Sequence, residues 1–298
     1  MTLHESGSRT LPSKAPNLHF VPAGASGLFA RTGALGEIVN GLNSFISSHY
    51  RNKEMEVFEF TPVMSRAHLE KMGYFRSFPQ LAGCVCCLSS GTHVTADTAD
   101  ITSFLPSAFA LTPAACYQLY PILAERKQSP ALSLFDVSSH CFRNEYADGP
   151  YRLASFLMRE FVCVGQPEHV CAFRDRWRRQ AADVADTLCL DHSVEPANDA
   201  FFGRADSLAA KLQRDAELKL ELLVSGLEPA RRTACMSINY HKAQFGRTWD
   251  IHTVSGEHAH SACVGFGLDR LALALIARHG PSPKSWPGQV RDALWADA

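Results

Sequence analysis

The chain has 298 residues, 46% of them hydrophobic, and a formal net charge of −1. This length allows one large domain or two small ones, and the apolar share is sufficient for a core. The balanced charge argues against bulk electrostatic binding to nucleic acid or membrane. No run of about 18 apolar residues is present, so we expect no membrane span.

The first residues predict neither a signal sequence nor stable structure. Residues 1–18 are polar and lack an apolar core, so we expect a flexible N-terminal segment and a cytoplasmic protein. Ten cysteines are scattered along the chain. In a reducing compartment we expect them to stay unpaired, most of them as small buried residues and a minority as metal ligands.

The first half of the chain predicts a helix and a strand before a segment that is hard to assign. From Gly33, apolar residues recur at spacings of three and four, which is typical of an amphipathic helix. EVFEFTPVMS predicts a strand that ends at Pro62, because proline cannot donate to a strand ladder. Residues 76–110 give no clear assignment, and PAACYQLYPILAE predicts a helix or a passage from strand to helix.

The second half predicts strands around one long helix. Residues 167–190 have a helical period with a basic first half, and residues 191–216 are polar and irregular, then helical. ELKLELLVSG and TACMSINYHKAQFGRTWDIHTV are strand-like, and HSACVGFG predicts a strand that enters an apolar helix ended by Gly280. This order predicts an α+β fold with a mostly antiparallel sheet flanked by helices.

Residues 139–162, SHCFRNEYADGPYRLASFLMREFV, predict a hairpin around the turn Asp148-Gly149-Pro150. Side chains alternate along a strand, so this hairpin would present two cations, an aromatic ring and two carboxylates on one face. Arginine binds phosphate oxygens and a phenyl ring stacks on a base, so the set suits a nucleoside triphosphate. Cross-strand ion pairs on a solvated face are the alternative. The five residues are Arg143, Glu145, Arg152, Phe156 and Glu160.

A second motif favours the nucleotide. GFGLDRLALALIA places Gly265, Gly267 and Arg270 where a strand enters a helix. Glycines permit close approach to the backbone, and a helix N-terminus favours anions. This GxGxxR pattern is weak by itself, but it is specific when it follows the hairpin.

The ordered motifs resemble those of class II aminoacyl-tRNA synthetases. They are a strand ending at Pro62, FRNE at residues 142–145, the run from Arg152 to Glu160, and GFGLDR. TPVMSRAHLEKMGYF and LTPAACYQLYP resemble the seryl branch, and the resemblance covers roughly residues 30–280. It implies a class II synthetase-like catalytic domain over residues 19–298, with a helical insertion at about 167–216.

The resemblance also implies a metal site. Cys116 occupies the position of a glutamate in the usual seryl motif. In the atypical, metal-dependent seryl enzymes two cysteines and one glutamate hold zinc, and the matching residues here are Cys116, Glu160 and Cys263. One Zn²⁺ per chain is therefore expected, with an open position for the α-amine of an amino acid. Inert core thiols are the alternative.

We expect no tRNA-binding arm, because neither end of the chain has a basic, coiled-coil or OB-like extension. A seryl-like core of this kind resembles the amino acid:[carrier protein] ligases. The resemblance implies that ATP, with Mg²⁺, activates glycine or alanine for transfer to the phosphopantetheine thiol of a small acidic carrier protein. The alternatives are a compact seryl-type enzyme that aminoacylates tRNA and a non-catalytic synthetase paralogue. Serine stays open as the substrate.

Individual roles follow from the same resemblance. Arg143 and Arg270 would be catalytic, and Arg143 would bind the substrate amino acid together with Glu160. Arg152 would hold the γ-phosphate, Phe156 would stack under adenine, and the glutamate of FRNE would accept the adenine amino group. The expected ATP-binding residues are Arg143, Glu145, Arg152, Leu153, Phe156, Lys219, Glu221, Ala234, Cys235, Met236, Ser237 and Arg270.

Some features suggest interfaces or remain ambiguous. The first helix matches the class II dimer helix, so we expect a homodimer. The arginines of residues 174–179 would dock an acidic carrier with Phe173 and Trp177 as anchors, or form a solvated helix face.

CVCC at residues 84–87 fits a loop better than a metal or redox site. Solvated or core positions are favoured over a metal site for three histidines, two of which share a strand face: His252, His258 and His260.

Overall fold

The computed structural model describes most of the chain. The described ranges are 20–88, 101–127, 131–145, 151–197, 199, 217–228 and 231–296. Three predictions lie outside them: the flexible segment at residues 1–18, the turn Asp148-Gly149-Pro150, and the second half of the insertion from residue 200 to 216.

The strands form three sheets. The described strands are β1 (Phe20–Pro22), β2 (Phe29–Arg31), β3 (Glu56–Glu59), β4 (Val63–Ser65), β5 (Cys84–Leu88), β6 (Phe104–Leu111), β7 (Leu132–Phe142), β8 (Ser155–Gly165), β9 (His192–Pro196), β10 (Lys219–Glu228), β11 (Arg231–Lys242) and β12 (His260–Gly267). The central sheet has the order β3-β7-β8-β12-β11-β10-β9, and β4-β6-β5 and β1-β2 form the smaller sheets. Within the central sheet β3 pairs with β7 in parallel and the other pairs are antiparallel. The predicted α+β class with a mostly antiparallel sheet is confirmed.

Helices cover both faces of the central sheet. The described α-helices are α1 (Ala34–Tyr50), α2 (Arg66–Lys71), α3 (Tyr74–Ser77), α4 (Leu119–Arg126), α5 (Pro167–Thr187), α6 (Gln244–Trp249), α7 (Leu268–His279) and α8 (Gly288–Trp295). Residues of α1, α5, α7 and α8 share one apolar core, and residues of α4 and α6 belong to a second one. Among the helices that can be described, none is long and apolar enough to cross a membrane.

Strand β8 separates the two cores by its alternation. Phe161 and Cys163 pack into the core of α1, α5, α7 and α8, whereas Val162 and Val164 pack into the core of α4 and α6. Side chains of like parity share a strand face, so Glu160 faces the same side as Val162 and Val164. The face of the central sheet opposite α1 therefore carries the predicted site carboxylate.

A buried ion pair fastens α1 to the sheet. Arg159 donates from Nε and Nη2 to the two carboxylate oxygens of Asp136, at 2.9 and 2.6 Å. The same guanidinium donates to the Asn43 carbonyl and the Ser47 hydroxyl of α1. Such a bidentate pair with further hydrogen bonds compensates the cost of burying both charges. It holds β7, β8 and α1 in a fixed relative position.

Three assignments made from the sequence are corrected by the fold. EVFEFTPVMS forms two strands in different sheets, because the ladder of β3 ends before Pro62 and β4 begins after it. The second half of TACMSINYHKAQFGRTWDIHTV contains helix α6, whose buried Phe245 and Trp249 are at helical spacing. CVCC is the exposed strand β5 rather than a loop, and Cys84, Cys86 and Cys87 are exposed.

The predicted helical insertion is helical only in its first part. Helix α5 ends at Thr187, and residues 192–196 form β9, which pairs with β10. Strand β9 is the last strand in the described order of the central sheet, so its polar residues are half exposed and no apolar alternation marks it in the sequence.

Candidate active site

A cavity of 1580 Å³ lies against the sheet face that carries Glu160. Residues of β8, β10, β11 and β12 form its floor, and the segment around Cys116 and the helix α6 add to its walls. A smaller cavity of 170 Å³ adjoins it, and Arg143, Glu145 and Arg270 line both. The two cavities together bring side chains from the hairpin, the Cys116 segment and GFGLDR to one place.

The hairpin residues reach these cavities from beyond the strand ends. The ladder of β7 and β8 ends where Phe142 pairs with Ser155. Arg143 and Glu145 follow that pair and Arg152 precedes it, so their predicted placement on strand faces is wrong. The Arg143 amide still donates to the Ala154 carbonyl at 2.9 Å, but the next amide, of Asn144, donates to the Leu81 carbonyl at 3.0 Å instead of continuing the ladder.

The guanidinium of Arg143 is held in place by two contacts. Its Nε donates to the Pro113 carbonyl at 3.0 Å, and its central carbon lies 5.6 Å from the centre of the Phe156 ring. Arg152 lies nearby, with Nη1 3.9 Å from a carboxylate oxygen of Glu145. The cations, the aromatic ring and the first carboxylate of the motif are therefore neighbours, as predicted.

Arg270 enters the same space from the start of α7. Its Nε donates to the Tyr151 carbonyl and its Nη1 to the Ala234 carbonyl, both at 3.0 Å. Burial lowers the pKa of Arg270, and repulsion by Arg143 and Arg152 lowers it further. A polyanion would relieve this repulsion between guanidinium groups, so the cavity suits a phosphate chain.

The predicted residues of β10 and β11 form one wall. Lys219 pairs with Asp199 at 2.7 Å and with Glu221 at 3.0 Å. Burial lowers the pKa of Lys219, but the two carboxylates raise it more, so the pair stays ionic. Ala234 and Ser237 line both cavities. Four predicted residues line only the smaller cavity: Leu153, Phe156, Cys235 and Met236, the last two of which are buried.

The three predicted metal ligands come together in the large cavity. One donor atom each of Cys116, Glu160 and Cys263 lies within 4.8 Å of the others, and all three residues are buried. The backbone amide of Cys116 also donates to Glu160 Oε1 at 3.0 Å. Strand register explains the proximity on the sheet side, because β12 places Gly265 opposite Glu160 and Cys263 opposite Val162.

The thiols of this triad have perturbed acidities. The hydrogen bond with Cys263, burial and the nearby Glu160 raise the pKa of Cys116. The hydrogen bond with Cys116 lowers the pKa of Cys263, but burial and Glu160 raise it more, so it also ends above its usual value. Two buried thiols beside a buried carboxylate make a site that a divalent cation would stabilise, because the cation favours the thiolates.

Sequence reasoning missed a shell of polar residues around the triad. Asn239 Nδ2 donates to Cys263 Sγ at 3.6 Å, and His241 Nε2 lies 3.8 Å from the same sulfur. The His241 Nδ1 contacts the Ser261 hydroxyl at 3.0 Å. Burial lowers the pKa of His241 to about 4. The alternation of β11 gives a signal for these residues, since Asn239 and His241 follow Ser237 at every second position. Asp199, which pairs with Lys219, follows no such pattern.

Two further predictions from the sequence need revision. Phe173 and Trp177 are each 2% exposed, because they pack into the core of α1, α5 and α7, so their predicted use as docking anchors is wrong. His260 does not form a pair with His258. Its ring contacts the Tyr240 hydroxyl, whereas His258 pairs with His252.

Comparisons with known proteins first define the class of the fold. The seryl-tRNA synthetase of M. kandleri, solved in complex with A. aeolicus tRNASec, aligns with a TM-score of 0.74 at 19% identity over 93% of this chain and 59% of that one. The fold is that of a class II aminoacyl-tRNA synthetase catalytic domain, as predicted.

Sequence relatives then define the family. No family model matches the chain. Amino acid–[acyl-carrier-protein] ligase 1 of Bradyrhizobium diazoefficiens is 45% identical over 285 residues, which are 92% of this chain and 87% of the relative. A type-2 serine–tRNA ligase of Methanopyrus kandleri is 26% identical over 204 residues, 62% of this chain and 38% of that one. The chain belongs to the amino acid–[acyl-carrier-protein] ligase family.

Proposed function

We propose that this chain uses ATP to activate glycine or alanine as an aminoacyl-adenylate and transfers the aminoacyl group to the phosphopantetheine thiol of a carrier protein. The observation that carries the proposal is the meeting of two sites in one cavity. The triad of Cys116, Glu160 and Cys263 lines the same cavity as three arginines, two of which repel the third. Membership of the ligase family supports a carrier protein as the acceptor.

The triad fits a zinc ion. Two thiols and one carboxylate are suitable ligands, and three protein ligands leave one position open. A bound zinc ion would supply an open coordination position for the lone pair of the neutral α-amine of the amino acid. The raised pKa values of Cys116 and Cys263 mean that metal binding releases protons, and Asn239 and His241 orient the Cys263 sulfur.

In the activation step the arginines position the phosphates. The substrate carboxylate attacks the α-phosphorus of ATP, a new oxygen–phosphorus bond forms, and the α–β phosphoanhydride bond breaks so that pyrophosphate leaves. Arg143 would bind the α-phosphate and the attacking carboxylate, and Arg152 would bind the γ-phosphate. Arg270 would stabilise the negative charge that develops on the phosphate chain between them. The attacking carboxylate is already ionised, so no general base is required. Positioning and charge stabilisation supply the acceleration.

The smaller cavity is the proposed adenine site. Leu153, Phe156 and Met236 line it, so a base would have apolar groups to stack on. The Glu145 carboxylate lies at its edge and would accept the adenine amino group. Lys219 is neutralised by Asp199 and Glu221, so we propose that it orients their carboxylates rather than binding phosphate. This ion-paired group would hold β10 beside the adenylate.

In the transfer step the carrier thiol attacks the adenylate carbonyl and AMP leaves. We propose that the carrier approaches α5, where Arg176, Arg178 and Arg179 are exposed. Arg174, one turn away, lies over the ring of Tyr240 at 5.5 Å, and Tyr240 lines the large cavity. A negatively charged partner on these arginines would therefore sit next to the cavity.

We further propose a homodimer. The apolar face of α1 is buried in its own core, so α1 does not supply an apolar interface by itself. Exposed apolar side chains instead mark the paired strands β5 and β6: Leu88, Phe104, Leu105 and Phe109. Scattered apolar residues are normal, but a group on neighbouring strands is typical of an interface. Sedimentation of the wild type tests this, and a monomeric mass would contradict it.

The acceptor is tested by competition. Metal-replete protein is supplied with ATP and labelled glycine or alanine, and either a phosphopantetheinylated carrier protein or bulk tRNA. The proposal expects thioester-linked label on the carrier that hydroxylamine releases. Label on tRNA alone would instead support a compact tRNA-aminoacylating enzyme, and label on neither would support a non-catalytic paralogue.

A further inference from the structure

A second cluster of metal-binding side chains lies in the loop between α6 and β12, outside the candidate active site. Asp250, His252 and His258 each offer one donor atom, and these atoms all lie within 4.8 Å of one another. We infer that this loop binds a divalent transition-metal ion through these three side chains.

The backbone of the loop brings the two imidazoles together. His252 and His258 form an antiparallel bridge, and residues directly opposite in such a pair project to the same side. Their rings stack with centroids 4.6 Å apart and an angle of 29°. Ile251 and Ala259, next to them in the chain, are buried at 3% and 1% exposure. The alternation therefore places both histidines on the side opposite to these two buried residues.

Asp250 completes the cluster from the end of α6. It is the C-terminal capping residue of that helix and has a left-handed backbone, with φ of 57°. This conformation turns the chain so that Asp250 Oδ1 lies 3.7 Å from His252 Nε2. The carboxylate is exposed, so an approaching ion meets one charged ligand at the surface and two imidazoles behind it.

The loop is held in this shape before any ion binds. The Thr253 amide donates to the Glu257 carbonyl at 2.8 Å, and the Gly256 amide donates to the Thr253 carbonyl at 2.9 Å. At the base, the Ala259 amide donates to the Ile251 carbonyl at 2.9 Å. A site with fixed ligands loses little conformational freedom on binding, which favours affinity.

The donor set selects the class of ion. Imidazole nitrogens with one carboxylate suit zinc, nickel, cobalt and copper, whereas calcium and magnesium prefer oxygen ligands. Three protein ligands leave coordination positions for water. His258 Nδ1 is buried and has no hydrogen-bond partner among the described residues. One ring nitrogen of His258 therefore lacks a partner in the described protein, which is consistent with a ligand at this ring.

Binding would fasten α6 to the start of β12. Helix α6 contributes Phe245 to the wall of the large cavity, and the Phe245 ring stacks on Tyr120 at 4.1 Å. An ion bound by Asp250 at the end of α6 and by His258 before β12 would link these two segments. Its role is therefore structural, and the site uses none of the active-site ligands.

Cobalt titration of metal-free, full-length protein tests the inference. Cobalt at the thiolate triad gives a thiolate-to-cobalt charge-transfer band, whereas cobalt bound by histidine and aspartate does not. In the wild type we expect one ion with that band and a further ion without it. The double variant His252→Asn/His258→Asn should keep the band and bind the further ion at least about tenfold more weakly. His169→Asn, an exposed histidine on α5, is the matched control and should bind as the wild type does.

Two results would overturn the inference. One is a wild type that binds cobalt only at the site with the charge-transfer band. The other is a double variant whose total binding equals that of the wild type. If the double variant does not fold by circular dichroism, Asp250→Asn decides, because its side chain is 84% exposed. None of these readouts depends on aminoacyl activation, so failure here and failure of the proposed function are distinguishable.

Discussion

The backbone amide of Cys116 donates a hydrogen bond to a carboxylate oxygen of Glu160 over 3.0 Å. This bond joins the turn before α4 to the middle of β8. It orients the carboxylate next to the Cys116 thiol, and Cys263 reaches the same point from β12. Side chains held by packing and hydrogen bonds before a ligand arrives are the expected basis of a specific metal and substrate site.

Replacing a triad thiol should remove the metal site selectively. We expect Cys116→Ala and Cys263→Ala each to lose the thiolate-to-cobalt band and amino-acid-dependent pyrophosphate exchange, because two ligands hold the ion poorly. Cys163→Ala is the control, since Cys163 is buried on the opposite face of β8. Retention of the band in both triad variants would contradict the assignment.

Arg270 should act through the geometry of its guanidinium. Arg270→Lys keeps a positive charge but cannot make both backbone bonds, to Tyr151 and Ala234. We expect pyrophosphate exchange to fall about 10²–10³-fold, comparable to losing a positioned charge-stabilising donor. Arg278→Lys, an exposed change in the same helix, should leave the rate unchanged. Equal rates for the two variants would exclude a catalytic role for Arg270.

Reversing the charge of α5 should affect the carrier and not the adenylate. The triple variant Arg176→Glu/Arg178→Glu/Arg179→Glu is expected to raise the KM for the carrier protein, because exposed cations on that helix would attract an acidic partner. Pyrophosphate exchange measured without carrier is the internal control. If exchange falls and the KM for the carrier does not rise, the docking proposal is wrong.

The buried pair of Arg159 and Asp136 should contribute strongly to stability. Asp136→Ala leaves an unpaired buried cation, and we expect a loss of about 3–5 kcal/mol in the free energy of unfolding. The pair of Arg126 and Glu56 is also bidentate but exposed, so Glu56→Ala should cost less than about 1 kcal/mol. Urea unfolding measures both, and similar losses would contradict the distinction.

His241 should make the stability of the metal-free protein depend on pH. Burial lowers its pKa from 6.5 to about 4, so between these values the unfolded chain binds more protons than the folded one. Its stabilising contribution is therefore complete above pH 6.5 and is lost as the pH falls toward 4. The full effect of His241 on the free energy of unfolding is at most about 3 kcal/mol.

The variant His241→Asn isolates this effect. Between pH 4 and 6.5, the free energy of urea unfolding of this variant should depend less steeply on pH than that of the wild type. His169→Asn should keep the wild-type slope, because His169 is exposed. A His241→Asn slope equal to that of the wild type would mean that another group dominates.

Much of the site was predictable because its residues sit in short local patterns. Phe156 and Glu160 share a face of β8 through simple alternation, and GFGLDR marks the passage from β12 to α7. Cys116 and Cys263 required the resemblance to a family, because their contact depends on the register of distant strands and no local signal encodes it.

The errors have local physical causes. Alternation predicts strand-face positions for Arg143 and Arg152, but the hairpin ladder ends at Phe142 and Ser155, which alternation alone does not reveal. Helix α6 was hidden by its short length, since two residues at helical spacing, Phe245 and Trp249, give a weak period. The partnership of Lys219 with Asp199 joins residues from separate segments and could not be read from either.

The most direct test of the account is ATP–pyrophosphate exchange with each of the twenty amino acids in metal-replete protein. Cys116→Ala serves as the matched negative control, because it removes one triad ligand. The account predicts exchange that depends on glycine or alanine and is absent in the variant. No exchange with any amino acid, in protein shown to contain metal at the triad, would contradict it.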